Sequence, residues 1–294
     1  MEYVEAKTIV QRAKNPSFWF GSDYNMNIYR GCCHGCIYCD SRSECYHIDD
    51  FDTVRAKKNA IEIIRDDLRR KVKKGVVSTG AMSDPYNPFE KELLLTRKAL
   101  TLLHAFGFGV AIATKSDLVT RDIDILSDIN ENDPVIVKIT ITSLDDRLTK
   151  LIEVNAPSTQ RRFEAIKKLS QAGIFSGLLL MPVLPFILDN EENILGIVEK
   201  AHEAGARFIY PAFGMTIRNG QREYYYDSLD KHFPGLKEKY IKTYRNNYTC
   251  TSRRAKKLWA VFTEKCDKYG ILYDMRRIIS AYKTVKGPTQ LDLF

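Results

Sequence analysis

The chain has 294 residues, of which 44% are apolar and 28% are charged, and this composition excludes global disorder. No apolar run approaches the roughly 18–20 residues that a membrane span needs, and residues 1–7 resemble neither a signal peptide nor a transit peptide. We therefore expect a cytoplasmic protein with a sizeable core, reduced thiols and no membrane partner.

Strand and helix patterns alternate along most of the chain. Residues 24–31 alternate as a first strand, and residues 53–74 follow as an amphipathic helix that ends at Gly75. The pattern continues as strand 76–81, helix 90–106, strand 110–114, helix 121–129, strand 135–142, helix 158–172, strand 174–183, helix 191–204 and strand 207–211. Apolar strands that alternate with helices predict a parallel sheet covered on its outer face.

Six strands are too few for a closed eight-stranded barrel of ~250 residues. They predict an α/β fold, an open six-stranded partial (β/α)6 barrel of the TIM type with a mainly helical C-terminal extension. We expect four segments: an N-terminal plug at 1–21 that packs through Phe18, Trp19 and Phe20, the partial barrel at 22–220, a basic, tyrosine-rich helical region at 221–286, and a tail at 287–294.

The net charge of +8 is concentrated towards the C-terminus. Residues 231–286 contain 15 Lys and Arg against four acidic residues, so the rest of the chain is mildly acidic. A basic segment on an acidic body favours a polyanionic partner such as nucleic acid. The alternative is a solvated helix face, which is the more common environment of Lys and Arg.

Three cysteines, Cys32, Cys36 and Cys39, form a C-x3-C-x2-C triplet just after the first predicted strand. Thiolates this close on a short loop converge on one point, as a metal or an iron–sulfur cluster requires. Iron–sulfur cubanes normally take four cysteine ligands, one for each iron. A triplet therefore leaves one iron open for a ligand that the protein does not supply.

Zinc and disulfides are the alternatives for these cysteines. Structural zinc takes four closed ligands, and Cys33, His34 or Cys45 could supply the fourth. Disulfides are disfavoured because the seven cysteines show no pairing framework and the chain carries no secretion signal. We expect the remaining thiols to be ordinary free cysteines: Cys33, Cys45, Cys250 and Cys266.

Several separated motifs follow the predicted strands, where the loops of a parallel barrel form its reactive end. They are Tyr29-Arg30-Gly31-Cys32 with His34-Gly35-Cys36-Ile37-Tyr38-Cys39-Asp40; Ser83-Asp84-Pro85-Tyr86-Asn87-Pro88 with Glu90; Thr114-Lys115-Ser116 with Arg121-Asp122; Glu153 with Ala156-Pro157-Ser158 and Arg161-Arg162; and Pro182 with Pro185. Together, over roughly residues 20–215, they resemble the spore photoproduct lyase-like (SplB-like) branch of the radical S-adenosylmethionine (radical SAM) superfamily.

The resemblance implies a [4Fe–4S] cluster on Cys32, Cys36 and Cys39, with S-adenosylmethionine (SAM) on the open iron. An electron from the cluster, supplied by a donor such as flavodoxin or ferredoxin, cleaves SAM to a 5′-deoxyadenosyl radical that abstracts hydrogen from the substrate. By position, Tyr38 is expected near the adenine. Candidate contacts to the amino, carboxylate or ribose groups of SAM are Ser83, Asp84, Lys115 and Ser143. No catalytic residue is assigned.

Two departures from spore photoproduct lyases concern the final hydrogen donor. Those enzymes carry a cysteine just before the Ser-Asp pair and a tyrosine directly after the third cluster cysteine. Here Ala81 and Met82 stand before the pair, and Asp40 follows Cys39. Alanine and a thioether are poor hydrogen donors to a carbon radical, so we predict that this protein is not a spore photoproduct lyase proper.

The basic C-terminal region also carries tyrosines at helical spacing, among them Tyr240 and Tyr244. Aromatic rings beside cations can stack bases and pair with phosphates. The candidate nucleic-acid contacts are Tyr240, Tyr244, Arg253, Arg254, Lys256 and Lys257. The alternative is a helix face packed on its own domain, and Leu258, Trp259 and Phe262 are expected to anchor this segment to the barrel.

The last five residues follow the helix breakers Gly287 and Pro288. This pentapeptide, Gln290, Leu291, Asp292, Leu293 and Phe294, is similar to the bacterial sliding-clamp binding motif. Its glutamine would make polar contacts while its leucines and phenylalanine enter an apolar pocket. The alternative is a tail folded back on the barrel.

Three functional hypotheses follow. The first is a radical SAM enzyme of the lyase or oxidoreductase type that acts on nucleic acid, in particular on a damaged or modified DNA base. The second keeps the enzyme but makes its substrate a small molecule or a protein. The third is a non-enzymatic iron–sulfur or zinc protein that binds DNA and the clamp.

Overall fold

The computed structural model describes residues 1–16 and 18–284. Its strands are β1 (Glu2–Val4), β2 (Val10–Arg12), β3 (Tyr24–Met26), β4 (Tyr29–Arg30), β5 (Arg55–Lys57), β6 (Val76–Thr79), β7 (Gly109–Thr114), β8 (Val135–Thr140), β9 (Phe175–Leu180), β10 (Phe208–Pro211), β11 (Gly214–Thr216) and β12 (Thr249–Thr251). The predicted tail, 287–294, lies outside the described residues.

Eleven α-helices are present in the described part of the chain. They are α1 (Ala60–Arg69), α2 (Glu90–Leu93), α3 (Leu95–Ala105), α4 (Ile123–Asn132), α5 (Asp146–Ile152), α6 (Thr159–Gln171), α7 (Glu191–Glu203), α8 (Gln221–His232), α9 (Leu236–Tyr244), α10 (Ala255–Tyr269) and α11 (Met275–Lys283). None of these helices has the length and apolar character needed to cross a membrane.

The central sheet has seven strands in the order β10-β9-β8-β7-β6-β3-β2. Six of them, β3 and β6 to β10, are parallel to their neighbours, which confirms the predicted partial barrel. The seventh, β2, pairs antiparallel with β3 and lies within the segment predicted as a plug. A separate three-stranded sheet, β1-β5-β4, lies beside it.

The structure corrects three helix predictions. Residues 55–57 form β5 rather than the first turns of the predicted helix 53–74, so α1 is shorter. The predicted helix 90–106 is divided into α2 and α3 at Leu94, whose φ of +54° is left-handed. Helix α5 was not predicted, and its N-cap is Asp145, whose side chain accepts hydrogen bonds from the main-chain nitrogens of Arg147 and Leu148.

The two faces of the sheet bury different partners. Helices α1, α3, α4, α6 and α7 cover its outer face. On the inner face Phe20 is fully buried with Ile136 and Phe208, and Ile278 and Tyr282 of α11 pack beside it. We call this group of five side chains the aromatic floor, because it closes the end of the barrel at which the strands begin. Phe18 is 73% exposed, so the prediction that it packs against the body is wrong.

The chain after β10 returns twice to the barrel. Strands β11 and β12 pair with each other across an excursion that contains α8 and α9. Helix α10 then packs against α7, and α11 crosses beneath the sheet to the aromatic floor. The basic region therefore contributes to both ends of the barrel.

Candidate active site

The cysteine loop, residues 31–46, follows β4. Gly31 begins it with a φ of +78°, and a Cβ atom at this position would lie 2.3 Å from the carbonyl oxygen of Thr53, so only glycine fits. Further along, the main-chain nitrogen of Ile37 donates to the carbonyl oxygen of Ile152 at 2.9 Å. The loop is thereby held against the C-terminal end of α5.

Cys32, Cys36 and Cys39 line one cavity of about 260 Å³, which we call the cysteine cavity. All three are free thiols. The carboxyl ends of the neighbouring strands, together with one residue of the N-terminal segment, supply the other walls. These include Trp19, Gly80, Ala81, Lys115, Thr140 and Met181.

The arrangement fits an iron–sulfur cubane with one open iron. Within residues 1–16 and 18–284, no three His, Cys, Asp or Glu side chains converge closely enough to hold a single metal ion. Around a cubane each cysteine binds a different iron, so the ligands stand further apart. Three cysteines and no fourth line the cysteine cavity in the described chain, which leaves its remaining side for a ligand such as SAM.

Burial shapes the electrostatics of the cysteine cavity. It raises the pKa of Cys32 to about 12 and also raises the pKa of Cys36 and Cys39, so their thiolates need positive charge nearby. Burial alone would lower the pKa of Lys115, but Cys36 and Glu153 raise it above its usual value. Lys115 therefore brings a permanent cation to this cavity.

A buried ion pair supports the cysteine loop from below. Glu153 and Arg162 are each 1% exposed, and Arg162 Nη1 lies 2.5 Å from Glu153 Oε2. Arg162 Nη1 also donates to the carbonyl oxygen of Thr140 at 3.0 Å, while the Tyr38 hydroxyl donates to Glu153. Lys115 Nζ lies 5.5 Å from the centre of the Tyr38 ring. The sequence motifs named these residues without assigning roles to Glu153 and Arg162.

Asp84, predicted as a SAM contact, lines the cysteine cavity, but both of its carboxylate oxygens already accept hydrogen bonds within the protein. Its Oδ1 accepts from the Tyr86 nitrogen at 2.9 Å and from Thr114 Oγ1 at 2.6 Å. Its Oδ2 lies 3.0 Å from His34 Nε2 and accepts from the Lys115 nitrogen at 2.8 Å. These partners lower its pKa to about 2 despite burial, which alone would raise it. Asp84 is a buried anchor that ties the cysteine loop to the ends of β6 and β7.

The two predicted serines also differ from expectation. Ser83 lines the cysteine cavity, but its hydroxyl donates to the carbonyl oxygen of Gly31. Ser143 is buried and its hydroxyl lies 3.2 Å from the Asp145 carbonyl oxygen, in the turn before α5. Among the described residues Thr140, rather than Ser143, faces the cysteine cavity. Of the other two predicted SAM contacts, Lys115 lines the cysteine cavity, whereas the buried Tyr38 lines a neighbouring cavity.

A second cavity of about 630 Å³, which we call the apolar cavity, adjoins the first. Cys39, Ala81 and Met181 line both. Its far wall comes from β11, β12 and α10, and includes Trp259, which is 46% exposed. Of the three predicted anchors of α10, Leu258 and Phe262 are fully buried, and the partly exposed Trp259 ring packs edge-on against Phe213.

The tyrosines predicted to stack bases are packed inside the protein. Tyr240 is fully buried and donates to the carbonyl oxygen of Pro185 at 2.8 Å. Tyr244 is also buried and donates to the Thr251 carbonyl oxygen at 2.7 Å. Both rings belong to a packed helix face, so the prediction that they contact nucleic acid is wrong.

The four predicted cations lie at the surface near the start of α10. Arg254 and Lys257 form ion pairs with Glu191 at 3.2 and 2.6 Å. Arg253 and Lys256 are exposed, and neither forms an ion pair within the described chain. Of the four predicted cations, these two are therefore the more available to a polyanion.

The sequence model of the radical SAM superfamily matches residues 26–201, more than half of the chain, so this protein belongs to that superfamily. Its cofactors are accordingly a [4Fe–4S] cluster and SAM. A protein of uncharacterised function from Mycobacterium tuberculosis is 31% identical over 229 residues, which cover 76% of this chain and 67% of the relative. Another, from Methanocaldococcus jannaschii, is 32% identical over 191 residues, covering 64% and 69%.

Within the superfamily, the fold is similar to that of spore photoproduct lyase. The lyase complexed with dinucleoside spore photoproduct superposes with a TM-score of 0.67 and 15% identity, covering 92% of this chain and 80% of that chain. A mutant lyase with bound AdoMet and the same dinucleoside gives a TM-score of 0.65, with coverage of 92% and 82%. Family and fold confirm the resemblance carried by the motifs. Ala81 and Met82, which the sequence analysis identified as departures from a lyase proper, line the cysteine cavity.

Proposed function

We propose that this radical SAM enzyme abstracts hydrogen from a damaged or modified base in DNA. The observation that carries the proposal is the apolar cavity, which adjoins the cysteine cavity and has a half-exposed tryptophan on its outer wall. A planar base suits such a cavity, because base–aromatic stacking contributes about 1–3 kcal/mol per base. Arg253 and Lys256, close in sequence to the lining residue Ala255, would meet the phosphates.

The residues around the cysteine cavity have separate tasks in this proposal. Cys32, Cys36 and Cys39 would hold the [4Fe–4S] cluster, which would supply the electron for reductive cleavage of SAM. Lys115 provides a fixed positive charge for an anionic group, and the buried pair of Glu153 with Arg162 holds the Tyr38 ring in place. The apolar walls keep water away from a carbon-centred radical.

We also propose that the final hydrogen donor at this site is not a cysteine thiol of the protein. Ala81 and Met82 line the cysteine cavity where a lyase proper would present a cysteine. In the described chain, the only cysteines that line either cavity are the three predicted cluster ligands. We therefore propose a reaction of the lyase or oxidoreductase type on a lesion other than spore photoproduct.

Deuterium transfer tests the proposed reaction. Anaerobically reconstituted enzyme, reduced with dithionite in the presence of SAM, is offered oligonucleotides with defined lesions and deuterium on the base or the sugar. We expect deuterium in 5′-deoxyadenosine with one lesion class, above the level seen with undamaged DNA. Cleavage of SAM without transfer from any nucleic acid, but with transfer from a small molecule or peptide, would favour the alternative substrates.

Salt dependence tests the nucleic-acid surface independently. If Arg253 and Lys256 contact phosphates, the double variant Arg253→Gln/Lys256→Gln should reduce the slope of log affinity against log salt by roughly 1.8 on duplex DNA. The matched control is Arg254→Gln/Lys257→Gln, whose side chains already pair with Glu191 and should change the slope less. Equal slopes for wild type and both variants would remove this surface from the proposal.

Two protein partners remain predictions. The enzyme needs a one-electron donor, for which flavodoxin or ferredoxin is proposed. The sliding clamp is proposed to bind the tail, residues 290–294, which lies outside the described residues. Retention of wild type on purified clamp, with loss of retention for Gln290→Ala/Phe294→Ala, would support that contact, and equal retention would end it.

A further inference from the structure

Lys138 is a buried lysine that the proposed reaction has not used. It lies near the end of β8 and is fully buried, and its Nζ atom has no hydrogen-bond partner among the described residues. The Nζ atom does lie over an aromatic ring, that of Phe20, whose centre is 4.7 Å away. Burial lowers the pKa of Lys138 to about 7.

The backbone register places Lys138 directly beneath the cysteine cavity. Ile136, two residues earlier on β8, belongs to the aromatic floor, so alternation puts Lys138 and Thr140 on the same inner face. Lys138 pairs across the sheet with Ala113 and with Gly177. Ala113 and Thr140 both line the cysteine cavity. The lysine therefore occupies the layer between the aromatic floor and the cysteine cavity. Its cross-strand neighbours, alanine and glycine, are the two smallest residues.

A buried amine without a partner is costly, and burying it as an ammonium costs more. An apolar side chain of similar length, such as methionine, would fill the same space without that cost. The four-carbon stem is flexible, and two residues of strand separate Lys138 from the cavity-lining Thr140 by only ~6.6 Å. The amine can thus reach a ligand that enters the cavity from above.

We propose that Lys138 is a ligand-binding residue. When a ligand fills the cysteine cavity, the Lys138 amine donates a hydrogen bond to an anionic oxygen of that ligand, from a carboxylate or a phosphate. The carboxylate of SAM and a phosphate of the substrate could each provide such an oxygen. The second source rests on the proposed function, whereas the first requires only the family's cosubstrate.

The test compares Lys138→Met with wild type in two measurements. Without ligand, the variant should melt a few degrees higher, because the unpartnered amine is gone. This advantage should shrink as the pH rises from about 7 to 10, where the wild-type unfolded state loses its extra proton. In the reconstituted holoenzyme with matched iron content, equilibrium dialysis then measures the affinity for SAM and for the dinucleotide thymidylyl-thymidine.

Each outcome has a defined meaning. A loss of at least tenfold in SAM affinity identifies the SAM carboxylate as the partner, whether or not the dinucleotide binds. An unchanged SAM affinity with at least tenfold weaker dinucleotide binding identifies the substrate phosphate. Unchanged affinity for both probes, or a variant that melts lower than wild type, overturns the inference. Ile136→Met, on the same face but further from the cavity, is the packing control and should leave both affinities unchanged.

Discussion

The two ends of the partial barrel are closed by opposite kinds of chemistry. At the end where the strands finish, charged and polar side chains are buried and paired, with Glu153 and Arg162 beneath the cysteine loop. At the other end the aromatic floor packs Phe20 against α11. The difference shows that the reactive end is fixed by directional bonds, which set the orientation of a loop, whereas the inert end needs only to be filled.

The largest expected effect tests the polar end. Arg162→Met leaves the buried carboxylate of Glu153 without its closest cation, and breaking one partner of a buried pair costs about 3–5 kcal/mol. We expect that loss in the free energy of unfolding, measured by urea denaturation at pH 7, together with weaker retention of the iron–sulfur cluster.

The neighbouring arginine supplies the control. Arg161 also pairs with a carboxylate, that of Asp117 at 2.7 Å, but its side chain is more than half exposed. Arg161→Met should therefore cost no more than about 1 kcal/mol. If the two variants were equally destabilised, burial would not be the reason for the strength of the polar end.

The aromatic floor provides the next prediction. Phe20→Ala empties a fully buried site between the sheet and α11, so we expect a loss of about 3 kcal/mol in unfolding free energy. Phe18, two residues earlier, is mostly exposed, and Phe18→Ala should be close to neutral. In contrast to Arg162→Met, the floor variant should keep its cluster under conditions in which it remains folded. Selective cluster loss from Phe20→Ala would contradict the separation of the two ends.

The smallest predicted effect concerns the edge of the sheet, where Asp67 holds β2. Its Oδ2 accepts from the main-chain nitrogens of Ile9 and Val10 at 2.7 and 2.9 Å, and from Thr8 Oγ1 at 2.9 Å. Burial would raise the pKa of Asp67, but these donors lower it below its usual 3.8. The stability it contributes is therefore present above about pH 4 and is lost as the pH falls through the lowered pKa.

Asp67→Asn should cost about 1–2 kcal/mol at pH 7, because bonds to a charged acceptor are replaced by bonds to an amide. The difference in unfolding free energy between this variant and wild type should narrow below pH 4. Unfolding free energies between pH 3 and 7 measure both effects, with the exposed neighbour Asp66→Asn as the control. A gap that is independent of pH would show that the charge of Asp67 is not what holds the edge strand.

The parallel core was predictable because its signals are local. Apolar runs such as 110–114 alternate with amphipathic helices, and that rhythm alone predicts six parallel strands. The cysteine triplet likewise predicted its own site, since spacing on one loop determines which side chains can meet. Asp84 was different, because its sequence position at a strand end suited a ligand contact as well as an internal anchor. Only the three-dimensional structure showed that both its oxygens are already used.

The wrong predictions for the C-terminal region have a related cause. Tyrosines at helical spacing among lysines fit both a stacking surface and a packed face, and the choice depends on which side of α9 meets the barrel. Contacts distant in sequence, such as that of Tyr240 with the Pro185 carbonyl oxygen, decide it. For the same reason the edge strand β2 was missed, because its pairing with β3 is a long-range choice for a segment of three residues.

The aromatic floor joins two stretches of polypeptide that are synthesised far apart in time. The Tyr282 hydroxyl donates to the carbonyl oxygen of Phe20, so the underside of the barrel is assembled from residues 262 positions apart. A growing chain that has completed all six parallel strands still has an open base until α11 leaves the ribosome. Until then Phe20 and Phe208 face water on the underside of the sheet, so the nascent chain carries an apolar surface that α11 later buries.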